Sequence, residues 1–150
     1  MIATQLSLED MTLKVEKEIH VAASLEQTFE ALLEQIGSGN ETPDGVKMPM
    51  VLEAWPGGRW YRELGEGNGH FWAHVQAIKR PTLLEFVGPM FASYPFSSNV
   101  QYRLSEVDGG TLIKFHHYGF GWVDARHREN VHKGWGWILE SARKRAEASK

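Results

Sequence analysis

The stretch Gly110-Thr111-Leu112-Ile113-Lys114-Phe115-His116-His117-Tyr118-Gly119-Phe120, together with the chain from Asp124 to the C-terminus, decides the fold. Ile113, Phe115, His117 and Gly119 fall on one side and Lys114, His116 and Tyr118 on the other, the alternation of a strand with one buried face. A polar junction leads to Asp124, a residue type suited to accept hydrogen bonds from the first amides of a helix. Beyond it Val131, Trp135, Ile138, Leu139, Ala142 and Ala146 recur at helical spacing, so a long amphipathic helix succeeds the strand. Gly134 lies in the body of that helix, where glycine gives up roughly 1 kcal/mol of propensity against alanine. Its presence there predicts the close approach of a strand or an aromatic ring.

Working backwards, Asp108-Gly109-Gly110 is a turn and Asn99 to Glu106 the strand before it. Gly88-Pro89-Met90-Phe91-Ala92-Ser93-Tyr94-Pro95-Phe96 is an apolar loop, placed to act as a lid. Thr82 to Val87 and His70 to Lys79 read as strands separated by Arg80-Pro81. Val51 to Trp55 and Arg59 to Leu64 read as a pair joined by Pro56-Gly57-Gly58. Gly37 to Pro49 is loop-like, rich in Gly, Pro, Ser, Asn and Asp. Ser24-Leu25-Glu26-Gln27 is a capping box opening a helix with the stripe Leu25, Phe29, Leu32, Leu33 and Ile36, and Gly37 is placed to end it as the C′ residue. Thr12 to Val21 alternates with Leu13, Val15, Ile19 and Val21 on one face, interrupted by Lys17. The order is strand, helix, six antiparallel strands, long helix. That is an α+β domain in which a curved sheet receives the terminal helix.

The 150 residues fit one domain, residues 1–150. With 42% hydrophobic and 23% charged residues the composition is that of an ordinary globular protein, and a net charge of −3 gives no reason to seek nucleic acid. No apolar run approaches the ~20 residues of a membrane-spanning helix. Met1 to Asp10 has neither a basic start nor a long apolar run, which argues against secretion. Zero cysteines removes disulfides, zinc–thiolate sites and thiol nucleophiles together, and the cytoplasm is the expected location. Six tryptophans, seven phenylalanines and four tyrosines suit a core or a ligand pocket equally.

Four features together resemble a known family: Val15-x-Lys17-x-Ile19-x-Val21-Ala22-Ala23-Ser24, Pro56-Gly57-Gly58-Arg59-Trp60, Gly110-Thr111 followed by His117-x-Gly119-Phe120, and His132-x-Gly134-Trp135 with Leu139. Their order resembles the helix-grip fold of the START and Bet v 1-like (SRPBCC) superfamily. Within it the chain is similar to the branch related to the C-terminal domain of the heat-shock protein 90 ATPase activator. The resemblance implies a helix-grip architecture and leaves the chemistry open, because many members are described by fold alone.

Several motifs have plainer readings. Gly65-x-Gly67-x-Gly69 precedes a strand, whereas a dinucleotide-binding glycine motif opens a helix, so it reads as a turn. His116 and His117 point to opposite faces of their strand. His70 and His74 share a face but lie too far apart, and His127 and His132 depart from the i, i+4 spacing of helical zinc ligands. No metal site and no cofactor is expected. Arg143, Lys144, Arg145 and Lys150 complement the helix dipole and need no acidic partner.

His117 is a candidate of a different kind, either a hydrogen-bonded core residue or a polar fixture in an apolar cavity. Trp60, Tyr102, Phe115 and Trp135 are expected around it, as the lining of a cavity between sheet and terminal helix or as ordinary core. An enclosed void of ~300 Å³ would cost about 7 kcal/mol at roughly 24 cal/mol per Å³, so a chain that keeps one is expected to use it. The leading expectation is a binding module for an apolar small molecule, a lipid or a polyketide-like aromatic, with assembly as a homodimer left open. A cyclase- or dehydratase-type enzyme using His117 or a tyrosine, and an interaction protein resembling the chaperone activator, are the alternatives. No catalytic residue is assigned.

Overall fold

The structure, a computed structural model, describes residues 7–149; Met1 to Leu6, on which most of the expectation about secretion rests, and Lys150, one of the basic residues at the helix end, lie outside the described residues. After a short 3₁₀ turn at Glu9–Met11 come β1 (Thr12–Val21), α1 (Leu25–Ile36), β2 (Val51–Leu52), β3 (Arg59–Gly65), β4 (Asn68–Lys79), β5 (Leu83–Gly88), β6 (Phe96–Val107), β7 (Gly110–Gly121) and α2 (Ala125–Ala148). The seven strands form one antiparallel sheet in the order β1-β7-β6-β5-β4-β3-β2. The first and last strands are thereby neighbours, and both helices pack on the face that carries the core. This is the helix-grip arrangement expected from the order of elements.

Local chemistry sets the element ends. The Ser24 hydroxyl accepts from the Gln27 amide at 3.2 Å while the Gln27 side chain accepts from the Ser24 amide at 3.4 Å, a complete capping box. At α2 the Asp124 carboxylate accepts from the Arg126 and His127 amides. The turns at Glu66-Gly67 and Asp108-Gly109 place two successive residues at positive φ, as a hairpin matched to the sheet twist requires.

Two local expectations change. Gly37 does end α1, but at φ −101° and not in the left-handed conformation of a C′ glycine. Its Cα instead lies so close to the Leu33 carbonyl that an added Cβ would sit 2.8 Å from that oxygen. The strand expected to reach Trp55 stops at Leu52, because the chain leaves the sheet for a loop tied by the Glu53 carboxylate. That carboxylate accepts from the Arg59 amide at 2.8 Å and from its guanidinium at 2.9 Å.

The inward residues of β1, β6 and β7 include Leu13, Val15, Val21, Val100, Tyr102, Leu104, Ile113 and Phe115, all buried. Val131, Trp135, Leu139, Ala142 and Ala146 of α2 close over them, as the stripe predicts, and Ile138 is half-buried at its edge. Contacts of α2 run to α1 and to β1. On its other side, towards β4 and the β5–β6 loop, the helix is less closely covered. That asymmetry positions the site.

Candidate functional site

The five residues expected to line a cavity separate into two places. Trp60 lies under the end of α1: its indole N–H donates to the Ile36 carbonyl at 2.8 Å and its ring stacks on Phe86 with centroids 4.6 Å apart. Tyr102, Phe115, His117 and Trp135 meet in one buried cluster, with Phe115 and Tyr102 5.0 Å apart and Phe115 and Trp135 4.7 Å apart. Instead of a void between them there is ring-to-ring packing. The Tyr102 hydroxyl is buried without a hydrogen-bond partner, and burial pushes its pKa well above the ordinary phenol value.

His117 is fully buried. The Trp135 indole N–H donates to its Nδ1 at 2.9 Å, and its Nε2 lies 2.8 Å from the Ser98 hydroxyl. An indole nitrogen can only donate, so Nδ1 is the acceptor and the ring proton of the neutral imidazole resides on Nε2, donating to Ser98. Burial, reinforced by the neighbouring His127 and His116, lowers its pKa to about 3. Both nitrogens are occupied. The imidazole fixes the α2–sheet distance and has no atom left for a ligand.

An open space with mostly apolar walls lies beside the start of α2. A cleft of about 510 Å³ runs between the first half of that helix and the β4 and β5–β6 walls. Trp72, Phe91, Tyr94, Val131, Trp135 and Ile138 make its apolar surface, and Asp124, Arg126 and Asn130 stand at its helix end. Of the five expected residues, Trp135 lines it.

Trp72 reaches this cleft through an irregularity in the sheet. Trp60 pairs with Ala73 but Tyr61 pairs with Phe71, so one residue of β4 is extra at Trp72. Such a bulge re-aims side chains. Trp72 consequently meets Trp60 edge-on at 5.1 Å and Phe91 at 5.6 Å. The returning chain is drawn in as well, because the Met90 amide donates to the Trp72 carbonyl at 2.8 Å. The bulge also corrects the expectation that His70 and His74 share a face. His70 accepts from the Trp72 indole at 3.1 Å, whereas His74 lies beside Phe71 with ring centroids 4.8 Å apart. Among the described residues no three His, Cys, Asp or Glu side chains are grouped to hold a metal ion.

Gly134 is likewise not where a neighbour comes close. A Cβ built on it would meet nothing within 4 Å, and the residue borders the cleft. The absent side chain leaves room for the cleft, and no backbone or ring takes its place. The close approach occurs at Gly119 on β7, where a Cβ would come within 2.1 Å of the Phe96 ring.

His127 is the histidine of the cleft. It stands one helical turn before Val131 and two before Trp135 and Gly134, on the stripe that faces inward. Its Nδ1 is hydrogen-bonded to the Tyr94 hydroxyl, and its Nε2 is buried with no partner. Phe91 and Phe96 lie 4.9 and 5.8 Å from its ring. Burial lowers its pKa despite the opposing pull of Asp124, and burial also raises that of Tyr94. Helical spacing carried the signal for His127, since it continues the Val131–Trp135 stripe backwards. Trp72 had no such signal, because strict alternation assigns it to the outer face.

A family model described as "Activator of Hsp90 ATPase homolog 1-like protein" matches residues 22–146. Among solved structures the chain is similar to the Aha1 dimer from Colwellia psychrerythraea, at 18% identity and a TM-score of 0.65, over 92% of this chain and 98% of that one. It is similar to Ara h 8.0201 at 15% identity and a TM-score of 0.66, over 91% and 99% of the two chains. A third similar structure is the di-domain ARO/CYC StfQ from the steffimycin biosynthetic pathway, at 11% identity and a TM-score of 0.65, over 94% of this chain and 51% of that one. At these identities the likeness is one of fold, the Bet v 1-like helix grip. No protein of curated function matches the chain by sequence.

Proposed function

We propose that this chain, which belongs to the activator of Hsp90 ATPase homolog 1-like family, binds an apolar small molecule, a lipid or a polyketide-like aromatic, in the cleft beside α2. One observation carries the reading: a space of about 510 Å³ with mostly apolar walls persists beside the tightly packed cluster of Tyr102, Phe115 and Trp135. Small-molecule sites are typically ~300–1,000 Å³, mostly apolar, with a few placed polar groups. The cleft has that volume and that wall, with His127 as the polar group inside and Asp124, Arg126 and Asn130 at the mouth. It is open to solvent through half-exposed Phe91, so the penalty for an enclosed void does not apply to it. The β5–β6 loop, Pro89 to Pro95, supplies Phe91 and Tyr94 and is the natural lid.

Support also comes from the fold, which is shared with the di-domain ARO/CYC StfQ from the steffimycin biosynthetic pathway. Catalysis through His117 is disfavoured, because both its nitrogens already serve the core. Among the described residues no helix is long and apolar enough to cross a membrane, and a cytoplasmic location accords with the absence of cysteine. The dimer named for the Colwellia protein supports a homodimer here, which light scattering would test.

The binding test uses the space left by Gly134. Gly134→Leu should project into the cleft, since nothing stands within 4 Å of the new Cβ. The wild-type chain is expected to bind 2-ethylnaphthalene with quenching of tryptophan emission. The variant should lose at least tenfold in affinity while unfolding no earlier than wild type. Equal binding by both chains would sink the placement of the ligand, and no binding by wild type would sink the function.

A further inference from the structure

With the cleft taken as the ligand site, its polar atoms specify more than apolar character: they name the chemistry it would select.

Tyr94 and His127 share one hydrogen bond between the hydroxyl and Nδ1. Burial disfavours the charged form of each, so a neutral phenol faces a neutral imidazole. Two proton placements are open to the pair. If His127 Nδ1–H donated to Tyr94, then Nε2 would be a bare buried acceptor and the Tyr94 hydroxyl proton would need another acceptor. Besides His127 the hydroxyl has only the Asp124 backbone amide beside it among the described residues, and an amide N–H donates and cannot take that proton. If the Tyr94 hydroxyl donates to Nδ1, the imidazole proton moves to Nε2 and is the single group left unanswered. An unmade buried hydrogen bond is costly, so the second placement, with one orphan and not two, is the favoured one.

We propose that Nε2–H of His127 is the recognition donor of the cleft, and that the ligand is an apolar aromatic bearing a neutral carbonyl oxygen placed to accept from it. A carboxylate fits poorly. It would meet an uncharged imidazole inside the cleft, and at the helix end the Arg126 guanidinium that could attract it stands with the Asp124 carboxylate that offsets it. A purely hydrocarbon ligand would leave the donor orphaned. Rings suit the walls, since Trp72, Phe91 and Trp135 offer aromatic surfaces around the donor.

The test compares 2-acetylnaphthalene with 2-ethylnaphthalene, near-isosteres that differ in the carbonyl oxygen, and adds 2-naphthoate as the charged acceptor. Affinities are read by calorimetric titration at pH 7.5 on the wild-type chain and on His127→Phe. One made hydrogen bond corresponds to a preference of about three- to tenfold for the ketone. Wild type should show that preference and should bind the carboxylate more weakly than the ketone, and His127→Phe should abolish the preference while retaining the ethyl compound. Equal wild-type affinities for ketone and hydrocarbon, or a preference that survives in His127→Phe, would overturn the assignment while leaving an apolar site intact. If neither uncharged naphthalene binds wild type, the apolar-site reading falls and this one with it. A measurement that needs no variant is the long-range ¹H–¹⁵N spectrum of the free protein. It should show His127 protonated at Nε2, and a proton on Nδ1 would overturn the proposal.

Discussion

His117 and His127 stand on adjoining elements, are both uncharged, and do opposite things. His117 is enclosed, with Trp135 and Ser98 occupying its two nitrogens. His127 has Tyr94 on one nitrogen and nothing on the other. The same side chain is a structural strut where the chain answers both its atoms and a candidate recognition group where it answers one. Trp135 belongs to both regions, donating its indole N–H to the closed side while its ring faces the open cleft. Burial alone therefore does not mark a functional histidine; the unmade hydrogen bond does.

The largest effect should come from breaking the closed side. His117→Phe keeps an aromatic ring but orphans the Trp135 N–H and the Ser98 hydroxyl in the core. With each unsatisfied group costing roughly 1–3 kcal/mol, a loss of about 3 kcal/mol is expected from urea unfolding. His127→Phe should cost less, because it breaks one hydrogen bond and not two, and the Tyr94 hydroxyl it releases belongs to a half-buried residue. Comparable losses from the two substitutions would show that the contrast between them is not real.

The next effect concerns the floor between the two histidines. Phe96 lies across Gly119, with its ring 6.3 Å from His117 and 5.8 Å from His127. Gly119→Ala would force a Cβ to within 2.1 Å of that ring. Overpacking of this kind costs about 1–3 kcal/mol, and a displaced Phe96 should disturb both histidines. An unchanged melting temperature would mean that the ring moves aside freely and the two regions are uncoupled.

Acidification sharpens the comparison further. His117 has a folded pKa lowered to about 3, against an ordinary value near 6.5. Between those values the unfolded chain binds a proton that the folded chain refuses, so stability falls as pH drops from about 6.5 towards 3. The slope from this one group is at most about 1.4 kcal/mol per pH unit. His127 and His116, also lowered by burial, act with the same sign. Glu53, held at about 2 by the Arg59 guanidinium and amide, loses its contribution only below the ordinary carboxylate range, so pH 6.5–5 isolates the histidines. His117→Phe should flatten the curve in that window. A curve as steep as wild type would assign the titration elsewhere.

Sequence made the frame legible because periodicity and caps are local. The alternation of β1 and β7, the Ser24 capping box, the Asp124 cap and the stripe from Val131 to Ala146 all stand where short-range patterns place them. The buried cluster of Tyr102, Phe115, His117 and Trp135 was legible too, since face parity puts those residues together. Parity could not say whether they enclose space or fill it, because that depends on a fraction of an ångström between rings. The cleft was out of reach for a second reason. It depends on the bulge that turns Trp72 inward and on the Met90 amide that ties the lid to it, and both are matters of register between strands distant in sequence.

The smallest effect separates the two explanations for a glycine inside α2. A glycine kept for a close neighbour should resist any Cβ, as Gly119 does. Gly134 has open space instead, so Gly134→Ala should raise stability by up to about 1 kcal/mol through helix propensity alone. One methyl group removes little of a cleft of about 510 Å³, so affinity for 2-ethylnaphthalene should fall by less than threefold, far less than with leucine. The pair of substitutions then forms a graded series in which stability stays level or rises while binding declines with side-chain volume. That opposition is the signature of a residue that keeps space for a ligand. Thermal unfolding and the naphthalene titration, run on the alanine variant, decide it. If alanine destabilises the chain, the helix does need its glycine for packing, and the cleft owes nothing to this position.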